Sequence, residues 1–213
     1  MDTLKLSSKH FHVEADLRKF YGGAYPFPVV MLLDGHVVVG MCWEKWSSGK
    51  LTGAPGDPYG IVQDLLDSIR FFMRAKPGEL VGVKRDTVRE YGFHMEEDSP
   101  IYSATSIADS VYIFLERTKN AVKVHYYNRL LDETDCPEFK GKQKGTVELP
   151  LMEFVEDVLR ISGEYFKNYA SIIEQIMMKR GEEPYNHDVL RKLYREIKEL
   201  HQKELRIFEG NVV

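Results

Sequence analysis

Seven histidines, two cysteines and several short acidic runs are the groups in this chain with chemistry to offer. His10 and His12 are two apart, so on a strand their imidazoles share one face. A zinc site takes three or four protein ligands, and no His-Glu-x-x-His or Cys-x-x-Cys completes this pair. No metal is expected. His94, His125, His187 and His201 are scattered. His94 and His125 fall on stretches with strand periodicity, where either can face a pocket. Together with Asp109 and Glu116 they define one alternative site, in which titratable groups meet across neighbouring strands without a linear motif. Such a site would suit an enzyme or a small-ligand binder.

Two acidic runs, Glu96-Glu97-Asp98 and Asp132-Glu133-Thr134-Asp135, lie on expected loops. Solvated turns account for such runs, and the functional alternative is a contact surface for a basic partner. The EF-hand pattern is absent. Cys136 sits between Asp135 and Pro137, and acidic neighbours disfavour the thiolate that a catalytic cysteine needs. Cys42 lies among strand residues, and both cysteines read as reduced thiols. The stretch from Gly53 to Pro58 precedes a helix, but it lacks Lys-Ser/Thr and puts Asp57 where a phosphate would sit. It is a capped helix start, and no cofactor is implied. Trp43, Trp46, Tyr21, Tyr25 and Phe27 flank the first hairpin, either as core or as interface anchors.

The elements that must position these groups follow from periodicity. Val29 to Leu33, then Asp34-Gly35, then His36 to Val39 is a hairpin signal, because both turn residues take positive φ. Its arms are apolar on nearly every position, as central strands are. Asp57-Pro58 opens a helix whose stripe runs from Ile61 to Met73, with Asp64, Asp67, Arg70 and Arg74 on the other face. From Leu80 to Leu149 the period is two, with strands expected at Leu80–Val83, Tyr91–Met95, Ser110–Leu115, Ala121–Tyr127 and Thr146–Leu149. Pro150 is placed as a first helical residue, and one long stripe runs from Leu151 to Ile176. Lys179-Arg180-Gly181 stops it, and a last helix follows Asn186 with Leu190, Leu193, Tyr194, Ile197 and Leu200 on one side. The fold class is α+β: an antiparallel, meander-like sheet, one helix after the first hairpin, and a long C-terminal helical hairpin. The 213 residues form one domain, sheet-rich over 1–149 and helical over 150–208.

The net charge of −4, with no pooled lysine and arginine, argues against nucleic acid and fits a solvated cytosolic protein, though it is modest support for a binder of a basic partner. The N-terminus lacks the basic region and apolar run of a signal peptide, and no stretch is long enough to cross a membrane. A cytoplasmic protein with no membrane partner is expected. The apolar stripe of the last helices also offers a route to a homo-oligomer.

One passage carries a resemblance. Asp109-Ser110-Val111-Tyr112-Ile113 through Val122-Lys123-Val124, then Val147-Glu148-Leu149-Pro150-Leu151 leading into Glu153 to Leu159, resembles small bacterial immunity-like or uncharacterised modules. The Asp57-Pro58 helix with Leu65-Leu66 is similar to their earlier helix. The likeness is one of layout over residues 57–175 and transfers no site residues. It implies a non-catalytic module that captures a partner protein, an inhibitor of immunity type. The residues expected to make that contact are Glu96, Glu97, Asp98, Asp132, Glu133 and Asp135.

Overall fold

A computed structural model describes residues 2–42, 51–131 and 142–210, with side chains through residue 203. Trp43, Trp46, Asp132, Glu133, Asp135 and Cys136 lie outside the described residues.

Two mainly antiparallel sheets carry the fold. The first orders β1 (Thr3–Ser7), β2 (Phe11–Asp16), β3 (Phe27–Leu33) and β4 (His36–Val39) in sequence. Its hairpin turns on Asp34 at φ 50 and Gly35 at φ 74, as the Asp-Gly pair requires. Strand β3 has β2 along one edge and divides the other between β4 and β5 (Ala54–Gly56). That central position explains why its residues are apolar on both faces. The second sheet runs β10 (Lys144–Pro150), β9 (Ala121–Asn128), β8 (Val111–Arg117), β7 (Ile101–Ala104), β6 (Leu80–Val81), with β6 and β7 parallel and the other pairs antiparallel.

Five helices complete the described chain: α1 (Pro58–Phe72), α2 (Arg85–Glu90), α3 (Leu151–Asn168), α4 (Ala170–Lys179) and α5 (His187–Gly210). Asp57 caps α1 by accepting the Tyr59 amide at 3.0 Å, with Pro58 in the first turn. Gly60 lets this end press against the segment before β8, for a Cβ there would lie 2.0 Å from the Ser106 carbonyl oxygen. One core joins Phe27, Val29 and Met31 of the first sheet to Ile113, Val124 and Tyr126 of the second and to the helices. A smaller cluster of Val88, Phe93, Ile101 and Phe114 covers the other face of the second sheet. The Asn128 side-chain amide joins the sheets, donating to the carbonyls of Val38 at 3.2 Å and Gly40 at 3.0 Å. At the outer edge of the first sheet, the Lys5 amide donates to the Tyr169 hydroxyl and the Ser7 amide to the Glu164 carboxylate.

Several expectations are corrected. Tyr91–Met95 is not a strand. Helix α2 ends just before it, and Gly92 at φ 73 turns the chain into a loop. The strand at Leu80 ends at Val81, where Gly82 takes φ 74. Pro150 closes β10 and caps α3 from one residue outside it. The long stripe is two helices, broken at Tyr169, whose φ of −126 leaves the helical region. Asp64 is buried rather than on the wet face of α1, because its carboxylate accepts the Ser106 amide at 2.7 Å and the Tyr102 hydroxyl at 3.0 Å. Cys42 is disulfide-bonded, not a reduced thiol. Of the α5 stripe, Leu190, Leu193 and Ile197 are buried within the chain, while Tyr194 and Leu200 are half-buried.

Candidate functional site

Of the four groups expected to form an alternative pocket, two meet. His125 Nε2 lies 3.0 Å from Glu116 Oε2, and both side chains are buried. Strand register does this: Glu116 pairs with Lys123 and Phe114 with His125, so Glu116 and His125 are diagonal neighbours on one face. The carboxylate only accepts, so Nε2 carries the proton and Nδ1 faces the Thr146 hydroxyl at 2.9 Å. The second Glu116 oxygen accepts the Glu96 amide at 2.7 Å. Burial opposes the Glu116 charge, but His125 and the Glu96 amide outweigh it and hold the carboxyl below its ordinary value. His94 is exposed on the loop after α2. Asp109 is exposed before β8, roughly 20 Å along the extended chain from Glu116. The four residues therefore do not meet in one place, and Phe93 packs against the His125 ring with 5.2 Å between centroids.

What the pair does hold is the acidic loop. Glu96, Glu97 and Asp98 are exposed and line a surface groove of about 590 Å³, together with Ser99, Arg117 and Lys119. The backbone of that loop is fixed by two side chains through three hydrogen bonds. Glu116 takes the Glu96 amide, and the Arg85 guanidinium donates to the carbonyls of Glu96 at 2.9 Å and Ser99 at 3.0 Å. Lys123 pairs with Glu96 at 2.9 Å, which leaves the Glu97 and Asp98 carboxylates facing solvent.

Next to this groove is a mainly apolar cavity of about 230 Å³, lined by Ile69, Phe72, Met73, Met152, Val155 and Ile197 among others. Arg117 and Leu151 line both spaces. The Arg117 side chain donates to the Phe72 carbonyl at the end of α1, where a cation also suits the helix dipole. Among the described residues no carboxylate pairs with Arg117. No linear motif marks this junction, since it assembles from α1, β8, α3 and α5. The one sequence cue is an arginine at the end of an apolar strand.

Two further clusters are built but filled. His10 Nδ1 lies 2.6 Å from Asp34 and Nε2 lies 2.6 Å from Glu153, so both nitrogens face acceptors, an arrangement that favours the protonated ring. Burial opposes that charge, and the two carboxylates outweigh it and raise the pKa. The amides of Lys9 and His10 both donate to Asp157 on α3, and Lys9 also pairs with Glu153. His12 turns to Ser7 and Glu14 instead, so the two histidines do not converge. Among the described residues no group of three His, Cys, Asp or Glu side chains is placed to hold a metal. The second cluster packs Asp57, Tyr59, Tyr165, Tyr185 and His187 between α1 and the last helices. His187 donates to Glu174 at 2.6 Å and accepts from Tyr165 at 2.8 Å, and burial lowers its pKa. Burial pushes Asp57 up to about 7, even though it accepts from Tyr185 and the Tyr59 amide.

No family model matches the chain, and neither a curated protein nor a solved structure matches it. No described helix is long and apolar enough to cross a membrane.

Proposed function

We propose that this chain is a non-catalytic binding module of immunity type, which captures a basic partner protein on the groove of Glu96, Glu97 and Asp98. The observation that carries this is the fixed acidic loop. Two solvent-facing carboxylates stand on a backbone held by Glu116 and Arg85, so little ordering is lost when a partner binds. Charge of this kind speeds encounter and selects against acidic partners. The layout resemblance to immunity-like modules points the same way. Glu116, with His125 on one oxygen, supports the loop by accepting the Glu96 amide on the other. A disulfide at Cys42 suits an oxidising compartment better than the cytoplasm.

The test compares the full chain with the Glu97→Lys, Asp98→Lys double variant as bait in the same host lysate. Both side chains are exposed, so the variant keeps its fold. The expected result is one basic protein enriched by the wild type, released at high salt and absent from the variant. Equal retention by both baits, or no basic protein on either, overturns the proposal.

A further inference from the structure

The groove and the adjoining cavity together define what part of a partner fits, on the footing of the capture function proposed above. We propose that the site takes a protein C-terminus. A last apolar side chain enters the cavity, the terminal carboxylate meets Arg117, and cationic residues just before it lie over Glu97 and Asp98.

Arg117 carries the case. It lines both spaces, so a group bound to it stands at their junction. Its amide donates to the Pro100 carbonyl at 3.1 Å and its side chain to the Phe72 carbonyl, which fixes the guanidinium in place. A guanidinium has five donors in a planar fork that matches a carboxylate. With one side-chain donor bonded to Phe72 and no described carboxylate paired with it, the guanidinium has donors left for an outside acceptor.

Size decides the apolar part. The cavity of about 230 Å³ is larger than the ~150 Å³ that holds a benzene. It is smaller than the roughly 300–1,000 Å³ pockets that enclose a whole drug-sized ligand. That leaves room for one leucine- or phenylalanine-sized side chain. Met73 at its lining is 42% exposed, and Met152 is beside it. Methionines reshape themselves around different apolar guests.

Charge decides the rest. Glu97 and Asp98 stand in the groove that Arg117 also lines, so a bare anion is repelled there while it is attracted by Arg117. An anion that arrives with cations of its own satisfies both. A chain end of the form basic–x–apolar with a free carboxylate brings all three features, and capture of terminal carboxylates is a known recognition mode.

Fluorescence anisotropy on the full chain tests this with labelled Gly-Ser-Lys-Arg-Ser-Leu as free acid, as C-terminal amide, with aspartate in the last place, and with two glutamates for Lys-Arg. The free acid is expected to bind, and each of the three changes to weaken it at least about tenfold, about 1.4 kcal/mol. Arg117→Lys is expected to weaken the free acid and leave the amide as it was. Because Arg117 also supports α1, the exposed-site variant Met73→Asp is run beside it and is expected to weaken the leucine peptide only. Equal binding of acid and amide, or no peptide bound, overturns the C-terminal assignment. If decanoate displaces the peptide and Lys-Arg contributes nothing, the site belongs to a small amphiphile and the assignment falls. Loss of lysate capture in the Glu97, Asp98 variant alongside indifference to the carboxylate would leave the capture function standing. Failure of both would remove both.

Discussion

The carboxylate of Glu116 holds His125 with one oxygen and the amide of Glu96 with the other, so a buried side chain and an exposed acidic loop share one group. Removing it strands two donors. Glu116→Ala is expected to cost on the order of 3 kcal/mol in urea unfolding and to weaken partner capture as the loop loosens. Glu116→Gln is expected to cost less, since the amide oxygen still accepts from Glu96. A Glu116→Ala variant with unchanged stability would mean that the pair is not structural.

The Glu116 carboxyl sits below its ordinary value, so its contribution is present above the unfolded pKa and is lost as pH falls through the folded one. His10 behaves in the opposite sense. Its pKa is raised, so the stability it adds is fully present below about 6.5 and fades as pH rises through the folded value. Thermal melts of His10→Gln should therefore show a larger loss at pH 5.5 than at pH 9. The same loss at both would show that the ring is neutral between Asp34 and Glu153.

Asp57, which caps α1, and Asp64 within it act in the same sense as His10. Burial raises them to about 7 and about 6. Between pH 4 and 7 the folded chain binds more protons here than the unfolded chain, so stability falls as pH rises across that window. Asp57→Asn keeps a capping side chain and removes the charge. Its stability is expected to fall less steeply over that window, with the Asp64 share of the slope remaining, and to match or exceed the wild type at pH 8. A variant with the wild-type slope would locate the titration elsewhere.

Cys42 is fully buried among Val37, Leu131, Leu32 and Leu51, and it is disulfide-bonded. Reduction is expected to lower the unfolding free energy by about 2–4 kcal/mol, read as a lower thermal midpoint with reductant present. Thiol titration of the unfolded, unreduced chain should find none free at Cys42. A full thiol there would contradict the bond.

Local chemistry was legible where local chemistry decides. Asp34-Gly35 turns the hairpin, Asp57-Pro58 starts α1, and Lys119-Asn120 separates β8 from β9, each through residues within a few positions. The acidic loop at Glu96 to Asp98 was visible as a surface for the same reason. What failed depends on distant partners. Asp64 reads as a solvent-facing residue until Ser106 and Tyr102 are folded over it. Tyr91 to Met95 alternates like a strand, yet Gly92 turns it, with Phe93 buried in the small core and Tyr91 and Met95 packed at its edge. Strand β7 was missed because Tyr102 and Ser103 interrupt its apolar run. Of the proposed pocket, Glu116 and His125 were joined only by a register that no spacing reveals, while Asp109 and His94 went elsewhere. The Arg117 junction draws on four elements and left no pattern to read.

Strand β1 closes its sheet on one side, and such a strand ordinarily presents a row of unmet amides to any passing chain. Here the Lys5 and Ser7 amides are already taken by Tyr169 and Glu164, side chains that belong to the helical layer. A foreign segment would have to displace both before it could add to the ladder. The last helices thus serve as a seal against fibrillar growth, and a truncation that strips them would leave a sticky β margin in crowded solution.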